Sequence, residues 1–386
     1  MWRITKITGN CTKLKLPMKI LISGGGTGGH IFPAIAVADE LKSLVPDVEI
    51  RFVGALGKME MEKIPKAGYP IVGLPIRGIQ RRLTFKNLLV PLDLISSFWK
   101  VRKLLKEFRP DVVVGSGGYA SAPSLKMAQW MNIPTAIMEQ NNHPGMTNKL
   151  LAGRAKKIFV AYEGMEKHFA PEKLILTGNP VRKDIRSISD SKEEAKRFFD
   201  WGHYKKTLLV FGGSLGARTL NLAMKEATDL LAQREDLLVI WQTGKTGAGF
   251  LESETAKLPN VRAMQFIDKM ELAYALADLV VCRAGALTIS ELALVGKPAV
   301  LVPSPNVAED HQTANAAYLE SKQAAEMVRD EQETGSLMPK VLKLLDDEQK
   351  LKVLSKNIAR EGKPDSARRI AEELLKMIKK KEDNEI

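Results

Sequence analysis

The chain has 386 residues, which exceeds one typical domain and predicts two. Its composition, 45% hydrophobic and 27% charged, is that of a globular protein and excludes an intrinsically disordered chain. The two cysteines, Cys11 and Cys282, exclude a disulfide framework and a cysteine-based zinc site, and they fit a reducing cytosol. A formal net charge of +13 favours an anionic partner, such as a phosphate ligand, a nucleic acid or an acidic membrane surface.

Residues 1–17 stand apart from the rest of the chain. They contain no apolar stretch long enough for a signal peptide or a membrane span. Met18 directly precedes the first strand-like run and resembles a natural translation start. We therefore expect residues 1–17 to be a disordered extension or a misplaced initiation site.

A strand, a glycine-rich turn and a helix are predicted at the start of the main body. Residues 20–22 form a short apolar run, five glycines fall within residues 24–29, and apolar residues recur at helical spacing from Ile31 onward. Such a unit presents free N–H groups and a positive dipole end to an anion, usually a phosphate. No Gly-Lys-Ser/Thr follows, which excludes a Walker loop. A dinucleotide site needs an acidic residue at the end of the second strand, but the predicted strand over residues 49–53 is followed by glycine and alanine. A site for a dinucleotide such as NAD therefore loses its main support.

His30 lies where this predicted helix begins. A histidine there could simply cap the helix or fill space. The five-glycine loop and the positive end of the helix dipole instead favour a neutral ring that can accept a proton at pH 7. We interpret His30 as a candidate general base.

Residues 77–109 combine nine Lys/Arg residues with two acidic ones and many large apolar side chains. One interpretation is an ordinary core helix over residues 92–108 with a solvated basic face. The other is an interfacial patch, whose apolar groups enter the headgroup region while its basic groups meet anionic lipid. Both stay open from the residues alone. The segment has no run of 18 apolar residues, so under either interpretation it does not cross a membrane.

Further strands and polar loops complete a first sheet. Residues 110–114 lead into a second glycine-rich turn, GSGGYASAP, and residues 133–138 lead into EQNNHPG. Polar residues beyond the carboxyl end of a strand are where open parallel sheets bind ligands, although a loop that only turns the chain is equally polar. Glu139 and Asn141 are therefore candidates. Residues 158–160 and 174–176 are predicted strands, and GNPVR at 178–182 is interpreted as a hinge.

The opening pattern recurs in the second half of the chain. A strand over residues 207–211 leads into GGSLGAR at 212–218, and a helix with Leu222, Ala223 and Leu230 on one face should follow. Strands over 237–241, 261–265, 279–282 and 299–302 continue a second sheet. Two such openings predict two doubly wound domains, with a ligand in the cleft between them.

Three segments near the end add further candidates. A helix should begin near Leu287 with Glu291 in its first turn, where a carboxylate either favours the helix dipole or binds vicinal hydroxyls, as nucleotide sites do with ribose. A proline-rich loop over residues 302–310 ends with His311 and Gln312 at a helix start, which suits a sugar-hydroxyl site. Residues 366–381 should form a basic amphipathic helix.

Six of these motifs occur in the order and rough spacing of one family: GGTGGH (25–30), EQN (139–141), GNPVR (178–182), GGSLGAR (212–218), GALTISE (285–291) and DHQ (310–312). The chain resembles the MurG family within glycosyltransferase family 28, the bacterial enzymes that make lipid II. The resemblance covers about residues 18–380. It implies an α/β GT-B fold of two Rossmann-like domains that face a cleft. Residues 18–180 would bind the acceptor and the membrane, residues 181–364 would bind UDP-GlcNAc, and residues 365–386 would form a terminal helix and tail.

The resemblance also implies the reaction. GlcNAc would pass from UDP-GlcNAc to the muramyl C4 hydroxyl of lipid I, undecaprenyl-pyrophosphoryl-MurNAc-pentapeptide, with inversion at the anomeric carbon. His30 would be the general base or position the acceptor hydroxyl, with Tyr119 and Glu139 on the acceptor side. The residues that the family uses for the donor correspond to Thr27, Gly28, Gly29, Asn141, Arg182, Ser214, Ile267, Ala286, Leu287, Thr288, Ile289, Ser290, Glu291 and Gln312.

Within that donor set the implied roles differ. Arg182 and Ser214 would meet the diphosphate, Glu291 the ribose diol, and the backbone near Ile267 the uracil edge. Backbone N–H groups of residues 286–290 would bind phosphate, and Gln312 would bind GlcNAc hydroxyls. No cofactor and no metal are expected. Two departures from the family pattern are Leu215, where glutamine is common, and Met138, where histidine often stands.

The expected partners are UDP-GlcNAc, lipid I, an anionic membrane surface through residues 77–109, and other cell-wall synthesis and division proteins. We expect the protein at the cytoplasmic face of the bacterial inner membrane, as a peripheral protein that supports peptidoglycan synthesis, cell shape and division. Alternative functions are transfer to another lipid, a UDP-GlcNAc 2-epimerase, or a non-catalytic membrane adaptor. Nucleic acid is not expected, because no recognisable binding module is present.

Overall fold

The structure, a computed structural model, describes residues 17–76, 90–182, 185, 191–307, 310–330 and 334–384. The predicted extension over residues 1–17 lies outside the described residues except for Pro17. The first part of the basic segment, residues 77–89, lies outside them as well.

Seven strands form the sheet of the first half: β1 (Lys19–Ser23), β2 (Glu49–Ala55), β3 (Ile71–Leu74), β4 (Val112–Gly115), β5 (Thr135–Glu139), β6 (Lys157–Val160) and β7 (Leu174–Leu176). Their order is β3-β2-β1-β4-β5-β6-β7, and every neighbouring pair is parallel. The helices of this half are α1 (Gly28–Leu44), α2 (Glu60–Lys66), α3 (Val90–Phe108), α4 (Ser121–Trp130) and α5 (Met146–Ala152).

Both faces of this sheet are covered, as its continuous apolar strands predict. Ile20 and Ile22 point to a core shared with α1, whereas Leu21 points to a core on the other face, with α3 and α4. The alternation follows from the two-residue period of a strand. The predicted helix at the end of the chain exists as α14 (Ser366–Asn384), and it packs on α1 in the core of the first half.

Six strands form the sheet of the second half: β8 (Lys206–Phe211), β9 (Leu237–Gln242), β10 (Val261–Met264), β11 (Leu279–Cys282), β12 (Ala299–Leu301) and β13 (Glu326–Met327). This sheet is also parallel, in the order β10-β9-β8-β11-β12-β13. Its helices are α6 (Lys192–Phe198), α7 (Arg218–Glu226), α8 (Thr228–Ala232), α9 (Met270–Leu276), α10 (Ala286–Val295), α11 (His311–Ser321), α12 (Thr334–Asp346) and α13 (Glu348–Arg360).

Several predicted boundaries shift in the structure. Helix α1 begins at Gly28 and not at Ile31, because glycine at a helix N-terminus carries no helical periodicity that a pattern can detect. The helix expected after the glycine loop at residues 212–218 is divided at Ala227 into α7 and α8, and Leu230 is exposed. The prediction that Leu230 shares a buried face with Ala223 is therefore wrong. None of the helices in the described part of the chain has the length and apolar content that a membrane crossing requires.

In each half, the strands are added first toward one edge of the sheet and then toward the other, and this order switches between two central strands. These are β1 and β4 in the first half and β8 and β11 in the second. Open parallel sheets bind ligands beyond the carboxyl ends of such strands. Helix α1, which follows β1, contacts α10, which follows β11. The two ligand-binding edges therefore meet.

Candidate active site

The glycine-rich turn after β1 is held from inside by Glu60. Both Glu60 carboxylate oxygens accept a bond from the Gly26 N–H, at 3.1 and 3.2 Å, and one also accepts from the Ala55 N–H at 3.0 Å. Glu60 is fully buried. A Cβ on Gly25 would lie 2.1 Å from Glu60 Oε1, and Gly25 has a φ of +156°. Glycine at position 25 is therefore required for the carboxylate to approach the turn.

His30 is the third residue of α1, and its side chain points to the loops after β4 and β5. His30 Nδ1 lies 3.1 Å from Gln140 Oε1. The Gln140 Nε2 group donates to the Ser116 carbonyl at 2.9 Å. Gly117, at a φ of +96°, passes beside the ring so closely that a Cβ there would lie 2.6 Å from His30 Nδ1. The ring thus has a fixed place at the edge of the first sheet.

Burial lowers the pKa of His30 below its ordinary value of 6.5. The Glu139 carboxylate and the hydrogen bonds to Gln140 and the Ser116 carbonyl act in the opposite direction, and His311 adds to the lowering. The ring is therefore neutral at pH 7, as the sequence predicted. The sequence argument relied on the helix dipole, whereas the largest cause in the structure is burial.

Glu139 is the centre of the loop that follows β5. Its carboxylate accepts bonds from the N–H and side-chain amide of Asn141, at 3.0 and 3.3 Å, from the Gly145 N–H at 3.1 Å, and from Asn148 Nδ2 at 2.8 Å. The side chain is 3% exposed. Both oxygens of Glu139 are thus used to hold the loop, and the more exposed Asn141 is held by it.

Two buried asparagines join the halves beside this loop. Asn315 Oδ1, on α11, accepts from the Asn142 N–H at 3.1 Å, and Asn315 Nδ2 lies 3.4 Å from Asn141 Oδ1. Asn179, in the predicted hinge, donates from Nδ2 to the Gln140 carbonyl at 3.0 Å and to Ser290 Oγ at 3.1 Å. The loop after β5 is therefore bonded to α11 directly and linked to α10 through Asn179.

Arg182 and Glu291 come from different segments of the second half and lie near one another. The Arg182 guanidinium is 5.5 Å from the centre of the Phe32 ring on α1, and its charge acts on the pKa of Tyr274. The Tyr274 hydroxyl donates to Glu291 Oε2 at 3.0 Å. Burial, followed by the Glu291 charge, raises the pKa of Tyr274, so this phenol stays protonated and donates. A cation thus lies against α1, and the Glu291 carboxylate is oriented by the tyrosine on which that cation acts.

Glu291 is in the second turn of α10 and not in the first turn, where the sequence predicted it. The helix begins at Ala286, and no acidic residue lies in its first turn. Stabilisation of the helix dipole therefore does not explain Glu291. The N–H groups of Ala286, Leu287 and Thr288 have no partner within α10, because a helix leaves its first N–H groups unbonded. The Ile289 N–H, in contrast, is bonded to the Gly285 carbonyl at 3.0 Å.

The second glycine loop, residues 212–217, has an open surface. Ser214 and Leu215 are exposed, and their carbonyls accept from the N–H groups of Lys245 and Thr246, both at 3.0 Å. Near its base, Gln242 Oε1 accepts from the Ile267 N–H at 2.8 Å. The Ile267 N–H is thus already used within the protein.

The remaining predicted residues are distributed along the same edges. Gln312, on the first turn of α11, accepts from the Ser304 N–H at 2.9 Å. Thr27, Gly28 and Gly29 form the start of α1, with Thr27 exposed. Tyr119 lies beside the first glycine loop, since a Cβ on Gly26 would lie 3.6 Å from its ring. Met138, one of the two departures from the family pattern, is buried in the core of the first half, away from the cleft.

Four residues that shape the site were missed by the sequence analysis: Glu60, Gln140, Asn179 and Asn315. Glu60 had a detectable signal. The sequence analysis looked for an acidic residue directly after the second strand. Glu60 is such a residue, but it lies five positions beyond the strand end at Ala55 and faces the glycine loop. Gln140 lies between the two candidates Glu139 and Asn141 and was passed over. Asn179 stands in the GNPVR motif but was interpreted only as part of a hinge, and Asn315 carries no signal without the arrangement of the two halves.

The arrangement can perform displacement chemistry. It offers a neutral imidazole at the end of one sheet, a guanidinium against Phe32 on the same helix as His30, and N–H groups at the start of α10 that have no partner within that helix. An imidazole of this kind accepts a proton from a hydroxyl, and cations with N–H groups stabilise a departing phosphate.

Comparisons with known proteins agree with this arrangement. The glycosyltransferase family 28 N-terminal domain matches residues 20–160, and the family's C-terminal domain matches residues 207–370. A Bacteroides fragilis protein is 50% identical over 363 residues, which cover 93% of this chain and 96% of that protein. It is named UDP-N-acetylglucosamine--N-acetylmuramyl-(pentapeptide) pyrophosphoryl-undecaprenol N-acetylglucosamine transferase. A Parabacteroides distasonis protein of the same name is 51% identical, with 94% and 99% covered.

Among solved structures, the crystal structure of Acinetobacter baumannii MurG is similar over 93% of this chain and 100% of that chain. The TM-score is 0.73 at 29% identity. Two parallel α/β sheets with facing ligand-binding edges confirm the predicted GT-B fold. The domain matches and the long, half-identical relatives lead to one conclusion: the chain is a glycosyltransferase and belongs to glycosyltransferase family 28.

Proposed function

We propose that the protein transfers N-acetylglucosamine from UDP-GlcNAc to the C4 hydroxyl of the muramyl sugar of lipid I. The product is lipid II, and the anomeric carbon is inverted. Relatives with about half of their residues identical over nearly the whole chain carry this activity in their names. The observation that carries the proposal is the neutral, positioned ring of His30 at the edge where the two halves meet.

In this reaction His30 is the general base. Inversion by direct displacement needs one base for the attacking hydroxyl and relief of the charge on the departing diphosphate. The oxygen at C4 attacks the anomeric carbon while its proton passes to His30, and the bond from that carbon to the UDP oxygen breaks. Because burial keeps the ring neutral at pH 7, it is ready to accept the proton.

The second half, proposed as residues 181–364, binds the donor. Arg182 and Ser214 meet the diphosphate, and N–H groups at the start of α10 bind phosphate oxygens. Glu291, oriented by Tyr274, accepts bonds from the ribose diol. The remaining donor contacts fall to Gln312 on the GlcNAc hydroxyls, the Ile267 carbonyl on uracil, and Thr27, Gly28, Gly29 and Asn141 beside the transferred sugar.

The first half, proposed as residues 18–180, binds the acceptor. Tyr119 lines the glycine loop on this side, and Glu139 acts by holding the loop that carries Asn141. We assign Glu139 a positioning role rather than direct contact, because both of its oxygens are bonded to that loop and to Asn148.

The same half carries an exposed apolar patch, which we define as Leu92, Ile95, Trp99 and Trp130. Phe98 joins α3 to α4 by stacking on Trp130 at 5.3 Å between ring centres. Cations border the patch: the Arg102 guanidinium lies 5.8 Å from the Trp99 ring and Lys126 Nζ lies 5.6 Å from the Trp130 ring. Apolar groups among cations favour the interface of an anionic membrane. We propose that this patch holds the protein on the membrane that contains its lipid acceptor.

The proposed location is the cytoplasmic face of the bacterial inner membrane, where the protein is peripheral. Its product would serve peptidoglycan synthesis and thereby cell shape and division, with other cell-wall synthesis and division proteins as partners. Of the two interpretations of residues 77–109, the exposure of Leu92, Ile95 and Trp99 favours the interfacial one over a solvated basic face.

The deciding experiment measures UDP release from UDP-GlcNAc with and without a short-chain lipid I analogue, for the wild type and His30→Ala. We expect release that depends on the acceptor, and a loss of about 10²–10⁴-fold in kcat in the variant with donor binding retained. Wild-type release in His30→Ala would remove its role as the base but leave the transferase intact.

An acceptor panel and a product assay cover the other functions. Release with diacylglycerol but not with lipid I would point to a different lipid acceptor. Formation of UDP-ManNAc from UDP-GlcNAc alone would point to an epimerase. Nucleotide binding with no turnover of either kind would indicate a non-catalytic adaptor.

A further inference from the structure

The orientation of the Gln140 side chain is determined by its two partners. Gln140 is 2% exposed, and its Nε2 group faces the Ser116 carbonyl, which can only accept a hydrogen bond. The opposite orientation would set two oxygens against each other. The amide oxygen must therefore face His30 Nδ1, at 3.1 Å. The Asn179 side chain holds the Gln140 carbonyl at 3.0 Å and keeps the backbone in place.

A neutral imidazole has one nitrogen that donates and one that accepts. The Gln140 oxygen can only accept, so it requires the proton on Nδ1 and leaves the lone pair on Nε2. We propose that Gln140 is a positioning residue of the transfer reaction, which holds the His30 proton on Nδ1 and makes Nε2 the atom that takes the proton from the acceptor hydroxyl. This inference rests on the proposed function, because it assigns the atom through which His30 acts.

The surroundings of the ring are consistent with this role, because the Ser116 carbonyl, which Gln140 Nε2 holds, also bonds the ring and, like the Gln140 oxygen, can only accept. Of the charged and titratable groups that act on His30, Glu139 uses both carboxylate oxygens on Asn141, Gly145 and Asn148, and His311 adds to the lowering of the His30 pKa. Gly117 provides the space beside Nδ1, because any Cβ there would lie 2.6 Å from it. An amide at this place fixes the tautomer without adding a charge, so the ring stays neutral between turnovers.

The proton balance during transfer follows from this assignment. The C4 oxygen forms a bond to the anomeric carbon, its proton moves to His30 Nε2, and the electron pair of the broken bond leaves on UDP. His30 is then an imidazolium whose Nδ1–H still donates to the Gln140 oxygen. The same hydrogen bond therefore orients the base before the step and stabilises its charged form after it.

Two variants test the role. In Gln140→Leu the acceptor for Nδ1–H is lost. A general base supplies about 10²–10⁴-fold in rate, and we expect the variant to lose part of this, so that kcat falls about 10- to 100-fold. The KM for UDP-GlcNAc should change little. Gln140→Met is nearly isosteric and also lacks the amide oxygen, so kcat should fall by a similar factor with KM for UDP-GlcNAc again little changed. The matched control is Gln129→Leu, because Gln129 is also buried and bonds to the Leu151 carbonyl at 2.9 Å within the same half.

The outcomes separate this inference from the proposed function. Wild-type kcat in Gln140→Leu, or the same loss of kcat in Gln129→Leu, would overturn the positioning role. Wild-type kcat in Gln140→Met would do so as well, and this nearly isosteric variant decides alone if Gln140→Leu does not fold. If His30→Ala retains full activity, the base role fails first. If His30→Ala is inactive and Gln140→Met keeps wild-type kcat, only the present inference fails.

Discussion

Asn315 and Asn142 join the two halves of the enzyme: the Asn142 N–H donates to Asn315 Oδ1 at 3.1 Å. Asn315 is fully buried and lies one turn after Gln312 on α11. Asn142 belongs to the loop that follows β5, and Gln140 and Asn141 are the residues before it in that loop. A helix that starts at the proposed donor site is thus bonded to the loop that supports His30.

Asn315→Ala should therefore impair both stability and turnover. It leaves the Asn142 N–H without this acceptor, which costs about 1–3 kcal/mol in the free energy of unfolding, and it frees the loop, so kcat should fall as well. Urea denaturation and steady-state kinetics measure the two effects. Asn260→Ala is the control, since Asn260 is buried and bonds to the Leu231 and Arg234 carbonyls within the second half. Equal kinetics in both variants would contradict the coupling.

In the proposed mechanism, the pH dependence of kcat/KM reports the state of His30 in the free enzyme. The neutral ring is the form that accepts the proton, so kcat/KM should fall as the pH drops through the pKa of His30. Burial lowers this pKa below 6.5, and the acid limb should therefore have its midpoint below 6.5. A profile of kcat/KM between pH 4.5 and 8 measures it. A midpoint above 6.5, or an acid limb that persists in His30→Ala, would assign the limb to another group.

Gly117→Ala should displace the base. The new Cβ would lie 2.6 Å from His30 Nδ1, and the φ of +96° is itself unfavourable for alanine. Because misplacement by about 1 Å can cost about 10²-fold in rate, we expect a loss of kcat of that order. Gly153→Ala is the matched control, since nothing lies within 4 Å of its Cβ position. Wild-type kcat in Gly117→Ala would show that the ring tolerates displacement.

Glu60→Gln should destabilise the first half. The amide keeps one acceptor but turns an NH₂ group toward a backbone N–H, so at least one buried bond is lost, at a cost of about 1–3 kcal/mol. Glu62→Gln, on the same helix, is the control, because the Glu62–Lys66 ion pair is exposed and should not affect stability measurably. Chemical denaturation of both variants gives the comparison. Equal free energies of unfolding would show that Glu60 does not hold the loop.

The apolar patch should bind anionic vesicles and not neutral ones. Reversing Lys100, Lys103 and Lys106 to glutamate should weaken binding at least about 100-fold, and Trp99→Ala should weaken it at every salt concentration. Vesicle sedimentation at rising salt measures both effects, because screening weakens the electrostatic part alone. Phe198→Ala removes an aromatic side chain of similar exposure from the second half and should change nothing. Indifference to salt and to the charge reversals would refute the proposal.

The sequence predicted the two parallel sheets well, because each buried strand is a short apolar run between glycine-rich turns. It predicted the neutral state of His30 but not its main cause, since burial depends on how Gln140 and Gly117 surround the ring. It placed Glu291 one turn too early, because glycine and alanine at the start of α10 give no boundary signal. The links that Asn179 makes to Ser290 and Asn315 makes to Asn142 were out of reach, since these partners lie in the other half of the chain.

The buried carboxylate of Glu60 explains an asymmetry between the two halves. Both open with a strand, a glycine loop and a helix, and a duplicated fold of this kind has two equivalent places for a nucleotide phosphate. In the first half the Gly26 N–H already serves an internal anion. In the second, none of the loop's N–H groups donates to a carboxylate among the described residues. Under the proposed function, this one acidic side chain leaves the phosphate of the donor to the second half and the lipid-linked sugar to the first.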